Sequence, residues 1–118
     1  MQWNMADNIF ARIIHKEIPA KIVFEDESVL AFRDIDAKAP VHILIVPKKD
    51  IARVSEATAE DEPMLGHLLT VAAEIARKEG IDDTGYRLVI NKGAHAGESV
   101  PHLHLHLLGG RPMDWPHG

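Results

Sequence analysis

Polar and apolar residues alternate most regularly in HLHLHLL, residues 102–108. In an extended chain, residues two apart share a face. His102, His104 and His106 therefore point one way, and Leu103, Leu105 and Leu107 the other. The leucine side is the expected core, and the histidine side is expected to face a cleft or solvent. This strand is predicted over 102–110, ended by Gly109 and Gly110. KIVFEDE (21–27) and VLAFRDI (29–35) read as two strands joined tightly at Glu27 and Ser28, and YRLVINKG (86–93) as another. VHILIVPKK (41–49) is almost continuously apolar, which predicts a buried strand stopped by Pro47.

Two segments follow the helical period instead. IFARIIHK (9–16) has Ile9, Phe10, Ile13 and Ile14 on one side, and Pro19 is expected to break it. A longer helix is predicted from about Ala59 to Glu79. Thr58 is its N-cap, Asp61 stands in the capping-box position, and Pro63 lies in the tolerated first turn. Leu65, Leu68, Ala72, Ile75 and Ala76 form its apolar face, and Gly80 occupies the usual terminating position. Residues 52–57 read as irregular or a short helical turn, 36–40 and 94–101 as loops, and 111–118 as a tail. The sum is an α+β fold: about five strands in an antiparallel sheet, with one long and one short helix. It is expected to form a single domain over 1–118, with tails at 1–7 and 111–118.

The chain has 118 residues, 46% of them hydrophobic, enough for one core. A chain this short leaves much surface exposed, so self-association would be natural. The absence of cysteine excludes disulfides, thiolate metal sites and thiol catalysis, and favours an intracellular location. The start, MQWNMADNIF, lacks the basic region and long apolar run of a signal peptide. VHILIVP is too short to span a bilayer. A cytoplasmic protein without a membrane partner is expected. The net charge of −5, part of it in EATAEDEP (56–63), argues against a nucleic acid polymer as partner. A mononucleotide needs only a few local donors and is not excluded.

Three readings of the histidine face compete. A merely solvated face would mix Lys, Glu, Thr and Ser, which this one does not. A metal site needs ligands about 2 Å from one ion. Outer residues of an i, i+2, i+4 set lie roughly 13 Å apart on a straight strand, so a metal would need His42 or another remote ligand. A catalytic reading makes the middle imidazole a nucleophile, since neutral imidazole is reactive near pH 7. Its Nε2 attacks if its Nδ1–H is held by an acceptor, and the third histidine can then donate to a phosphoryl oxygen or the leaving group. GESVP (97–101) begins like a serine-hydrolase elbow, but Pro101 breaks the pattern, and GAHAG is not a phosphate-binding loop.

The alternation resembles the His-x-His-x-His-x-x signature of the histidine triad family. The resemblance extends along nearly the whole chain, through IFARIIHKEIPAKIVFEDESVLAFRDI, the AP, His42 and ILIVPKK block, GYRLVIN, HLHLHLLGGR and the late Trp115 and Pro116. These blocks are similar to the Hint branch, the purine nucleoside phosphoramidases. The resemblance implies an α+β homodimer whose sheet continues across protomers. It also implies hydrolysis of the P–N bond of adenosine 5′-monophosphoramidate-type substrates, through a nucleotidyl-histidine and without a cofactor or metal.

By the same resemblance His104 is the nucleophile, His106 contacts the phosphate, His102 orients the nucleophile, and His42 lies near the site. Asp34 and Ile35 match ribose and base contacts. Asn91, Gly97, Glu98 and Ser99 match residues around the phosphate. Asp34 could equally form a strand-end turn. Phe24 and Phe32, with Ile35, could line a base pocket, although apolar strand residues are core by default. His15, His67, His95 and His117 are assigned to surfaces or caps. The family often has Gln where this chain has Glu98, so either the main chain of residue 98 meets the phosphate or its side chain points away. Other functions to weigh are a non-catalytic nucleotide-binding or regulatory module and a dinucleoside polyphosphate hydrolase. Trp115 is expected to pack across the dimer, near the partner's nucleotide pocket.

Overall fold

The computed structural model describes residues 8–118, so the expected tail at 1–7 lies outside the described residues. Helix α1 spans Ile9–Ile14, with Asn8 as N-cap accepting the Ala11 N–H at 2.8 Å. It ends earlier than predicted. Lys16 adopts a left-handed conformation (φ 63°), and the Glu17 and Lys16 N–H groups bond back to Arg12 and Ile13 carbonyls. This closes the helix before Pro19 is reached.

Five strands follow: β1 (Ile22–Glu25), β2 (Val29–Arg33), β3 (Val41–Pro47), β4 (Tyr86–Val89) and β5 (Leu105–Gly109). They form one antiparallel sheet in the order β1-β2-β3-β5-β4. The β1–β2 turn falls at the expected place, because Asp26 Oδ1 accepts the N–H groups of Ser28 and Val29. β2 stops before Asp34, which turns the chain, and β4 stops at Val89 rather than 93. β5 starts at Leu105 rather than 102. Leu103 N–H leaves the sheet pattern to bond Ile51 O at 2.8 Å, and His102 N–H bonds Val100 O.

The long helix α2 spans Glu62–Lys78, entered through a 3-10 turn at Ala59–Asp61. Asp61 accepts the Thr58 N–H at 2.9 Å, so the predicted capping box is present. Gly80 (φ +76°) closes the helix, its N–H bonding Arg77 O while Ile81 N–H bonds Ala76 O. Val71 joins the predicted apolar face, and Leu65 is only partly buried. Residues 54–56 form the anticipated short turn.

Helix α2 covers one sheet face, burying Val29, Ala31, Ile43, Ile45, Leu103, Leu105 and Leu107. The other face carries a smaller core, in which Phe10 and Ile13 of α1 pack on Leu30, Phe32, Leu44 and Val46. No helix of the described residues is long and apolar enough to cross a membrane. Leu107 is fully buried, so Leu107→Ala should cost about 3 kcal/mol from lost transfer energy plus a cavity. Equilibrium denaturation reads this directly, and a loss under about 1 kcal/mol would show that its face is not the principal core.

Candidate active site

The face opposite α2 gathers the histidines. β3 and β5 are in register with Leu44 opposite His106 and His42 opposite Leu108, which makes His42 and His106 diagonal neighbours. Asp34 N–H bonds His42 O at 2.9 Å, extending the β2–β3 ladder by one residue. The face is less open than expected. His102 and His104 are buried, at 2% and 6% exposure, because α1 lies over them. The Phe10 ring meets His104 edge-on with centroids 4.9 Å apart.

Hydrogen-bond partners assign each imidazole a tautomer. His104 Nδ1 lies 2.7 Å from His102 O, a carbonyl that can only accept. The proton is therefore on Nδ1, and Nε2 carries a free lone pair. His102 Nε2 lies 2.8 Å from Pro47 O and so donates, with Asn8 Nδ2 3.5 Å from its Nδ1. His42 Nδ1 accepts the Lys38 N–H at 3.0 Å, which places its proton on Nε2. That Nε2 faces His106 Nδ1 at 3.0 Å and Asp34 Oδ2 at 3.4 Å. His106 accepts at Nδ1 and consequently presents an Nε2–H. The His104 and His106 rings meet edge-to-face, 5.0 Å apart.

Burial disfavours the charged form of three of these rings. It pushes His102 and His42 below the usual imidazole value, opposed at His102 by the Pro47 carbonyl and at His42 by Asp34. His106 is lowered to about 4, first by burial and then by repulsion from His104 and His42. The site thus holds an imidazole nitrogen with a free lone pair beside a neutral N–H donor.

The remaining expected residues fall in different places. Asp34 serves the strand-end turn, since its Oδ1 accepts the Asp36 N–H at 2.8 Å, and its other oxygen also faces His42. Ile35 is fully exposed on the rim of a cavity of about 540 Å³ that Pro19, Ala20, Lys21, Arg33 and Asp34 also line. Phe32 lies on the histidine face, 5.6 Å from Phe10, and is core. Phe24 packs into the α2-side core, so the sheet separates it from the histidines and it cannot share a base pocket with them. Val89 pairs with His106, and Asn91 lies two residues beyond the end of β4.

Gly97 (φ +76°) closes the loop's 3-10 turn, and Ser99 is exposed beyond it. The Glu98 carboxylate is turned onto Arg53. His15 caps α1, His67 pairs with Asp26 at 2.6 Å, and His95 and His117 are exposed. Trp115 is 79% exposed in the single chain and stacks edge-on against His117. The tail is tied back by Arg87 to Asp114 O and by Arg111 to Lys38 O.

Sequence reasoning missed Phe10, the Lys38 N–H and the Pro47 carbonyl. Phe10 carried only a helical-period signal, and main-chain groups leave no mark in side-chain identity. Asp34, His42 and His106 bring their ligand atoms within 4.8 Å of one another, so these three of the described residues could also hold a metal ion. His42 and only one triad histidine take part, as the strand spacing required. An ion there would have to displace the proton shared between His42 and His106.

Residues 15–113 match the HIT domain model. The chain is 56% identical to an uncharacterized HIT-like protein of Synechocystis, over 95% of this chain and 97% of that one. It is 52% identical to the purine nucleoside phosphoramidase of Escherichia coli K12, over 91% of this chain and 90% of that one. A HIT family hydrolase from Legionella pneumophila superposes with a TM-score of 0.92 at 49% identity, covering 93% of this chain and 98% of that one. The fold and the histidine face are those of a HIT-type hydrolase, and the chain belongs to the HIT family.

The low His106 value gives a signed expectation. Between about 4 and the ordinary 6.5, the unfolded chain binds a proton that the folded His106 refuses. Stability should therefore fall as pH drops through that window. Nitrogen shifts of labelled His106 should titrate with a midpoint near 4, and a midpoint near 6.5 would mean that the ring is not desolvated.

Proposed function

We propose that this protein is a nucleoside phosphoramidase that releases AMP or GMP from adenosine 5′-monophosphoramidate-type substrates. The single observation that carries the reading is His104, with Nδ1–H held by its neighbour's carbonyl and Nε2 free. Attack of Nε2 on phosphorus forms an N–P bond as the P–N bond of the substrate breaks. The departing amine takes a proton from water, while the Nε2–H of His106 donates a hydrogen bond to a phosphoryl oxygen. Because Nδ1 keeps its proton, the nucleotidyl-imidazole is cationic, and the His102 carbonyl 2.7 Å away stabilises that charge. The cation also leaves readily. Water attacks phosphorus and gives its proton to solvent, and the nucleoside monophosphate departs with His104 restored.

In this reading His42 orients His106, Asp34 accepts from the ribose hydroxyls, Ile35 touches the base, and Asn91 and Ser99 donate to phosphate oxygens together with the Gly97–Glu98 main chain. No metal or other cofactor takes part. The protein acts as a cytoplasmic homodimer, residues 1–118 forming one HIT domain. The sheet continues through the outer edge of β4, where Ile90 is partly exposed, and Trp115 finds its packing against the partner.

His104→Ala should abolish release of AMP from adenosine 5′-phosphoramidate, by roughly a thousandfold or more, and leave AMP binding within a few-fold. EDTA should change neither rate. Near-normal turnover of the variant would end the covalent reading, and loss of activity with EDTA, restored by zinc, would favour a metal mechanism. Deleting residues 112–118 should change the ratio of kcat/KM for two phosphoramidates differing only in their amine, more than it changes AMP affinity. An unchanged ratio would leave Trp115 without a role at the partner's site.

A further inference from the structure

The loop between β4 and the histidines is held by a group 45 positions away in sequence. Arg53 Nε lies 3.1 and 3.2 Å from the two Glu98 oxygens, and Nη2 lies 2.9 Å from Oε2. Its other nitrogen, Nη1, binds Glu56 at 2.7 Å. Glu98 Oε1 also accepts the Gly93 N–H at 3.1 Å, while Gly93 O accepts the Glu98 and Ala96 N–H groups. Gly93 (φ +86°) and Gly97 (φ +76°) both take a conformation that side-chain-bearing residues rarely adopt. The loop is thus a closed ring with one carboxylate at its centre.

Position gives this ring its meaning. Leu103 N–H bonds Ile51 O, so the segment carrying Arg53 runs beside the entry to the histidine strand. On the other side, β4 pairs with β5, with Val89 opposite His106 and Asn91 two residues beyond. Val100, just past the loop, packs into the core that contains Phe10. The loop is therefore pinned at both ends next to the nucleophile, with a carboxylate inside it. An unpaired carboxylate there would repel a phosphoryl group, and the Arg53 guanidinium removes that charge. Arg53 holds the Glu98 carboxyl at about 2, so it stays ionised and paired throughout the working range of the protein.

We propose that Arg53 is a positioning residue for phosphate binding: it cancels the Glu98 charge and fixes the Gly93–Ser99 loop in the form that receives the nucleotide. This rests on the reading that the loop faces the phosphate. Neither residue touches the reacting atoms.

The test is a cycle of Arg53→Ala, Glu98→Gln and the double variant. KM and kcat for adenosine 5′-phosphoramidate, AMP affinity by calorimetry, and amide exchange at residues 93–99 are measured for each. Arg53→Ala should raise KM and the AMP dissociation constant about tenfold, keep kcat within threefold, and speed exchange of the Glu98 and Gly93 amides. Glu98→Gln should raise KM about threefold. The double variant should bind AMP better than Arg53→Ala, because the uncompensated charge is gone. Equal AMP affinity in the wild type and Arg53→Ala, or a double variant as weak as Arg53→Ala, would overturn the proposal. If the wild type releases no AMP from the phosphoramidate, the enzymatic reading fails by itself, while AMP affinity and amide exchange still decide the role of Arg53.

Discussion

A strand has two faces, and on β5 this chain gives each a different task. Leu105 and Leu107 go under α2, and a shift of one residue in the β3–β5 register would bury His106 against the helix instead. The large apolar area on the α2 side makes that slip prohibitive. The placement of His42 opposite Leu108, diagonal to His106, follows from the same register. Stability on one side of the sheet therefore dictates geometry on the other, and the histidines have no freedom to choose their neighbours.

Within that frame, the main chain decides the chemistry. Carbonyls of Pro47 and His102 accept from two rings, and the Lys38 amide donates to a third. Main-chain groups cannot titrate, so these tautomers persist over any pH at which the sheet persists. Burial adds to this by disfavouring the imidazolium of His102, His42 and His106. Asp34 opposes that trend at His42 and His106, and its proximity keeps a proton available between them without charging either ring.

Much of this was legible in the sequence. The alternation of 102–108 located the triad and its core side, the capping box of Thr58 and Asp61 located α2, and Glu27 with Ser28 located the first turn. The strand ends were less legible. β5 begins three residues late because Leu103 pairs with Ile51, a tertiary contact with no local signal. Lys16 ends α1 in a conformation usually left to glycine, so Pro19 drew attention that belonged to an ordinary lysine. The burial of His102 and His104 also escaped prediction, because the short α1 gave no hint of which surface it would cover. Glu98 marked a departure from the family, yet nothing near it pointed to Arg53, 45 positions earlier.

Helix α1 has only six residues, fewer than a helix needs to persist alone in water. Its order is borrowed from Phe10 and Ile13, which dock on Leu30, Phe32, Leu44 and Val46. The burial of His104 thus rests on an element too short to hold its own shape. Local unfolding of α1 would rehydrate that ring and loosen the Asn8 contact to His102, while the leucine side of the sheet stays under α2. The cover over the histidines and the cover over the leucines are separate elements of very different length.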